Sequence, residues 1–267
     1  MLPFLMPARM ESVVYFDLPI EVAGTLAYID RQIAIEAGER VTLFQIVLCA
    51  AVRTLALRPQ LNRFVAGRRL YQRATIDVSF AVKKTRTDEE QLTTVKVRFE
   101  PHDTLSMASR RIQEAVQLAR GNRESTSEGR MRTVSRLPRF VVRLLVAAQR
   151  VLDYLNLLPG GTIRSDPLYA SMFLANLGSV GIDAGYHHLY EHGTVPLFRV
   201  IGRVKKVPVV DNNGAVVARD LLETRWTFDE CITDGFYCRR SQEIFRSMVE
   251  HPEHLERPPD PELGRSG

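Results

Sequence analysis

The sequence predicts an α/β protein, a two-layer sandwich with a mixed β-sheet in one layer and helices on one face of it. Two observations lead there. Segments with a period of two alternate along the chain with segments of helical period, which is the pattern of a sheet covered by helices. No segment repeats, and no shift of composition marks a linker. Residues 1–257 are therefore read as one domain, and the Pro-rich, polar residues 258–267 as a disordered tail. At 267 residues and 45% hydrophobic, the chain can bury a sizeable core.

Residues 12–22 read as a strand with Val14, Phe16 and Leu18 on one side. A helix follows, with Leu26, Ile29, Ile33 and Ile35 apolar and Gly38 as its stop. The next helix starts at an N-cap Thr42 and ends before Pro59. It is apolar nearly all round, so it is buried, and Cys49 is a small core residue. Residues 61–73 give a short strand or turn carrying basic residues. In 74–84, Ile76, Val78, Phe80 and Val82 alternate with small or polar neighbours, and in 92–101 Val95, Val97 and Phe99 point inward. A polar connection, 85–91, joins these two strands. An amphipathic helix runs from the N-cap Thr104 to Gly121, and 123–132 reads as a loop. Residues 137–161 form a helix with a wide apolar face and a thin basic one. It suits a core or subunit interface, with membrane-surface contact by 137–158 as the alternative. An apolar strand then enters a glycine-rich turn at 171–183, and a strand at 196–204 follows. Asn213-Gly214 suits a type I′ hairpin turn, and 221–230 is the last strand. A helix from an N-cap Ser241 closes the domain.

Charge and cysteine usage exclude several classes. The net charge is +5, but both signs are interspersed and no Lys/Arg stripe carries interleaved aromatics, so no nucleic-acid partner is expected. The cysteines are Cys49, Cys231 and Cys238, without CxxC or zinc spacing, which points to a reducing cytoplasm and no metal centre. The N-terminus lacks the order of a signal peptide, and no run reaches the ~18 apolar residues of a membrane span.

The informative stretch is FDECITDGFYC, 228–238, a strand that ends at an Asp234-Gly235 turn before a helix. Glu230 is either a carboxylate base with a raised pKa or an ion-pair partner that fixes the loop. Cys231 and Cys238 would need an adjacent histidine to be nucleophiles, and small buried residues are the plainer reading. YHHLYEHG places three histidines within six residues. His187 and His188 are adjacent, so they point apart and suit no standard zinc site; loop or interface packing competes with a catalytic role.

The order of LNRFV (61–65), IDVSFAVKK, FLANLGSVG (173–181), PLFRVIGRV (196–204) and FDECITDGFYCRRSQEIFRSM (228–248) resembles the catalytic domain shared by chloramphenicol acetyltransferase and the dihydrolipoamide acyltransferases of 2-oxo acid dehydrogenase complexes. The resemblance covers about residues 10–257. It implies a chloramphenicol acetyltransferase-like sandwich, a homotrimer with sites at subunit interfaces, and acyl transfer between coenzyme A and a thiol or hydroxyl acceptor. No covalent cofactor is implied; acyl-coenzyme A is a substrate. In the family a histidine removes the acceptor's proton, a hydroxyl beside the Asn-Leu-Gly turn steadies the oxyanion, and the aspartate before glycine is structural. These positions fall here at Glu230, at Ala175 and at Asp234, with Cys231 in place of an arginine. Asn176 and Gly178 stand at the coenzyme-binding turn, His188 is a further catalytic candidate, and Arg63 and Arg68 are candidates for coenzyme phosphates or for pairing with Asp234. No lipoyl domain or flexible Ala/Pro linker is read. Two function classes stay open: an acyltransferase with Glu for His, and a catalytically inactive trimeric binding or scaffold relative.

Overall fold

The computed structural model describes residues 1–35, 41–83, 92–121 and 137–260. The readings of a stop at Gly38, a connection at 85–91, a loop at 123–132 and the tail from 261 lie outside these residues. The strands are Val13–Asp17 (β1), Ile20–Glu21 (β2), Arg63–Ala66 (β3), Arg69–Gln72 (β4), Ile76–Lys83 (β5), Leu92–Phe99 (β6), Met172–Asn176 (β7), Leu197–Val210 (β8) and Val216–Asp229 (β9). The helices are Leu2–Leu5 (α1), Ala23–Ile35 (α2), Leu43–Leu57 (α3), Leu105–Arg120 (α4), Arg139–Tyr154 (α5), Gly160–Ser165 (α6) and Gly235–Glu250 (α7).

The sheet runs β1-β9-β8-β7-β5-β6, with β2 also paired to β9, while β3 and β4 form a separate hairpin. β7 is parallel to β5 and to β8, and every other pairing is antiparallel, so the sheet is mixed as the sequence predicts. Ile76, Val78, Phe80 and Val82 all enter the main core, because a period of two sends them to one face. That face is covered by α2, α3, α4 and α7. Eleven residues of α3 are buried, Cys49 among them, as an all-round apolar helix requires. Thr42 and Thr104 both cap their helices through the side-chain oxygen.

On the second face, among the described residues, the apolar cluster draws on strands and loops and on no helix. Phe173 and Phe198 stack there at 4.8 Å, beside Ala170 and Val200. The loop from Ala184 to Val195 covers them with Leu189 and Tyr190.

Three local readings are corrected. The last helix starts at Gly235, because the Asp234 side chain accepts the Tyr237 N–H at 2.8 Å and caps it. Ser241 lies inside that helix and its hydroxyl donates to the Tyr237 carbonyl at 2.7 Å. The β8–β9 turn is not type I′, since Gly214 takes a positive φ but Asn213 does not. Asp211 decides this: its Oδ1 accepts the Asn213 and Ala215 N–H groups at 2.9 and 2.8 Å, which closes a wider loop. Finally, α5 ends at Tyr154 and has no buried residue, which removes the reading of 137–161 as a core helix.

Arg199, near the start of β8, is fully buried. Its guanidinium lies between the Trp226 and Phe245 rings, 4.0 and 3.7 Å from their centres, and donates to Thr224 Oγ1 at 3.3 Å. Nε and Nη2 have no hydrogen-bond partner, and burial pulls its pKa well below the ordinary arginine value. Two cation–π contacts contribute about 2 kcal/mol each at best. Desolvating an ion costs several kcal/mol and is the larger effect here, because no carboxylate answers the charge. Arg199→Met should therefore fold and unfold at a higher urea midpoint, by about 1–3 kcal/mol. Trp226→Ala, which opens the same layer, should lose about 3–5 kcal/mol.

Candidate functional site

β9 ends by turning back under the N-terminal segment. Glu230 donates its N–H to the Ser12 carbonyl at 2.9 Å, and the buried Asp229 carboxylate accepts the Cys231 N–H at 2.9 Å. Beside this turn opens a cavity of about 490 Å³. Its walls come from four places: Arg9 and Ser12 of the N-terminal segment, Arg68 of the β3–β4 turn, Gln149 to Tyr154 of α5, and Glu191 to Gly193 of the covering loop. Asp229 and Cys231 close its floor, whereas Glu230 is not among the lining residues. Glu230 and Cys231 lie in the turn that follows β9, which the Ile232 N–H closes on the Asp229 carbonyl at 3.1 Å.

The covering loop is held where it is by backbone geometry. Gly193 has φ +82°, and a Cβ there would collide with the Leu168 carbonyl oxygen. Thr194 and Val195 both donate their N–H to that same oxygen, at 2.8 and 3.2 Å. This apposition brings His192 to Asp166, with Nε2 and Oδ2 3.0 Å apart. A carboxylate only accepts, so Nε2 carries the proton in the neutral ring and Nδ1 keeps its lone pair. The hydrogen bond to Asp166 raises the His192 pKa, and the nearby Asp153 adds to it. Burial would raise the Asp166 carboxyl, but the bonds from His192 and the Leu168 N–H outweigh it and the pKa falls. Tyr169 supports the pair: its hydroxyl donates to Asp153 at 2.9 Å and its ring meets the His192 ring edge-on.

Arg9 adds a half-buried cation. Burial lowers its pKa, opposed by Asp229, Glu191 and Asp153, and Nη1 donates to the Val195 carbonyl at 3.0 Å. The Cys231 thiol is pushed up to about 11 by burial and by Asp229, so it rests protonated at neutral pH. Burial raises Cys238 to about 11 as well, and it sits in the core, as the plain reading expected.

The other sequence-derived candidates lie apart. Asp234 caps α7. His187 stacks on Phe198 at 3.9 Å, and burial lowers its pKa, so it is a neutral packing residue. His188 stacks on His187, with Nδ1 2.8 Å from the Leu189 carbonyl, and does not line the cavity. Asn176 holds its own turn by accepting the Ser179 N–H at 3.1 Å. A Cβ on Gly178 would strike the Gly202 carbonyl, so this glycine is required by packing on β8. Ala175 pairs with Val200, which pairs with Arg225. It therefore lies two strands across and four residues along from Asp229, roughly 16 Å away in the same chain. Arg68 lines the cavity, while Arg63 reaches Gln72. His192, Asp166 and Arg9 were not singled out from sequence. The one signal was the third histidine of YHHLYEHG; Asp166, 26 positions earlier, gave none.

No protein-family model matches the sequence, and no curated protein does. Solved structures do match. A probable dihydrolipoamide acetyltransferase of Listeria monocytogenes is 17% identical, with a TM-score of 0.62 over 89% of this chain and 84% of that one. The dihydrolipoamide acetyltransferase of Azotobacter vinelandii, described with a serine, a histidine and an asparagine in its mechanism, is 16% identical, with a TM-score of 0.63 over 91% and 83%. A chloramphenicol acetyltransferase is 13% identical, with a TM-score of 0.52 over 94% and 92%. The fold is that of these acetyltransferases.

The His192–Asp166 pair has a pH signature. With the His192 pKa raised in the fold, its contribution to stability is complete below the ordinary 6.5 and is lost as pH rises through the folded value. With the Asp166 pKa lowered, its share is lost only as pH falls below the ordinary 3.8. Urea midpoints across pH should show wild type exceeding Asp166→Asn most between these limits, with the gap closing on the alkaline side.

Proposed function

We propose that the chain is a coenzyme A-dependent acyltransferase whose acceptor, a hydroxyl or a thiol, is activated by His192 in the cavity at the Asp229–Cys231 turn. The observation that carries this reading is the Asp166-bound imidazole opening on that cavity. The acceptor gives its proton to Nδ1 as its oxygen or sulfur attacks the thioester carbonyl. The tetrahedral adduct then expels the coenzyme thiolate, which takes the proton back from the imidazolium. Asp166 fixes the tautomer and steadies the cation. Arg68 and Arg150, on the same walls, suit the coenzyme's phosphates, and Arg9 is a cation beside the reacting carbonyl. In this scheme Glu230, which stands where the family carries its histidine, has no part in proton transfer.

The fold likeness supports the class of reaction, and the assembly expected with it is a homotrimer. The exposed apolar Val180, Ile182 and Tyr186 around the Asn176–Gly178 turn are consistent with a neighbouring subunit there. A non-catalytic trimeric binding protein is the competing reading. Ala175 favours it, since alanine offers an oxyanion no hydroxyl, and one lost donor costs about 10²–10³-fold in rate.

Two measurements separate the readings. Acetyl-coenzyme A at 100 times its dissociation constant should stabilise the protein by about 2.7 kcal/mol, seen as a raised melting temperature. No shift at millimolar ligand would favour the binding protein. Thiol release from acetyl-coenzyme A with dithiothreitol as acceptor should fall about 10²–10⁴-fold in His192→Ala and hardly change in Glu230→Gln. The reverse pattern would return the base to Glu230.

A further inference from the structure

We propose that α5 docks this protein on an anionic lipid surface, lying in the plane of the headgroups. The helix is turned the unusual way round. Gln149 and Asp153, from its polar side, are half-buried, and with Arg150 they line the cavity. Phe140, Leu144, Val151 and Leu155, spaced to share one face, are 73%, 68%, 57% and 55% exposed. No residue of α5 is buried. α1 contributes Pro3 and Met6 to the same cavity wall and exposes Phe4 and Leu5, which extends the apolar surface. An apolar face of this size in water calls for a covering.

Charge says what covers it. Residues 129–164 contain seven arginines, one aspartate and no lysine or glutamate, a net +6 within a chain of net +5. The rest of the chain therefore carries −1. Arg139 and Arg143 of α5 are exposed, one turn apart, along the edge of the apolar face. The single acid, Asp153, is engaged by the Tyr169 hydroxyl on the cavity side. The outward face is thus apolar with a cationic edge and no anion, which is the composition that binds at an acidic bilayer surface. Isologous pairing of two copies through α5 would instead set arginines of one copy against those of the other. At 16 residues α5 is about 24 Å long. Among the described residues no helix is long and apolar enough to cross a membrane, so α5 can lie on a bilayer but not span it.

The test is co-sedimentation of the full chain with vesicles of equimolar phosphatidylglycerol and phosphatidylcholine, against vesicles of phosphatidylcholine alone. Wild type should pellet with the anionic vesicles, and high salt should release it. Leu144→Glu with Val151→Glu, and Arg139→Glu with Arg143→Glu, should each weaken binding by about tenfold or more. Both pairs are exposed, so unchanged melting temperatures are expected and confirm the fold. Wild type left in the supernatant with anionic vesicles, or bound equally to neutral ones, overturns the proposal. So does an oligomer that Leu144→Glu with Val151→Glu dissociates in sedimentation velocity while lipid binding is unaffected, because the face would then be covered by a second copy. Should a variant fail to fold, the wild-type comparison of lipid charge and salt still decides.

Discussion

A parallel strand flanked by parallel partners is apolar on both faces and must be covered on both. β7 is such a strand, and with β8 it carries Phe173, Phe198 and Val200 toward the side where, among the described residues, a loop and no helix covers the aromatic stack. The chain meets this requirement with a loop. A loop cannot be buried without answering its own backbone groups, and this one answers them on the Leu168 carbonyl and on Arg9. The site is a by-product of that solution. The bonds that fasten Thr194 and Val195 over the aromatic stack are the bonds that bring His192 to Asp166, and the arginine that donates to the Val195 carbonyl is the one lining the cavity.

What could be read from the sequence follows from the range of the physics involved. Thr42 and Thr104 cap helices three residues away, and β5 declares its face by alternation, so both were legible. Asp234 is also a local cap, but Asp234-Gly235 reads equally as a turn, and the N-cap read from sequence, Ser241, falls seven residues late. Arg199 was hidden because an arginine in a strand reads as one more outward residue. Only the packing of Trp226 and Phe245 on both sides of it shows that it points inward. The His192–Asp166 pair joins two loops, and no periodicity connects loops. A histidine at the predicted motif position drew attention by its absence, while the histidine that reaches the cavity comes from another part of the chain.

The two motif positions read from the sequence fall at opposite ends of the sheet. β9 and β7 run to opposite ends, which sets Ala175 and its Asn-Leu-Gly turn apart from the Asp229–Cys231 turn in one chain. A mechanism that needs both must borrow one from a neighbouring subunit. The proposed His192 scheme asks for no such loan, since His192, Asp166 and Arg9 come from a single chain. Under that proposal, alanine at position 175 would weaken a site shared between subunits and leave the local one intact. That is a physical reason for a chain of this fold to tolerate alanine and glutamate at these two positions together.

α5 joins the two halves of this picture. Its polar side supplies Gln149, Arg150 and Asp153 to the cavity, so its rotation about its own axis is set by the site. Once that rotation is fixed, helical geometry leaves no choice about the other side: Phe140, Leu144 and Val151 must face away from the body of the protein. Had the helix been held by its apolar face, the cavity would have lost one wall and gained a hydrophobic one. The exposed apolar surface is therefore the consequence of building a polar site against the thin side of an amphipathic helix, and whatever covers that surface also bears on how firmly the cavity wall is held.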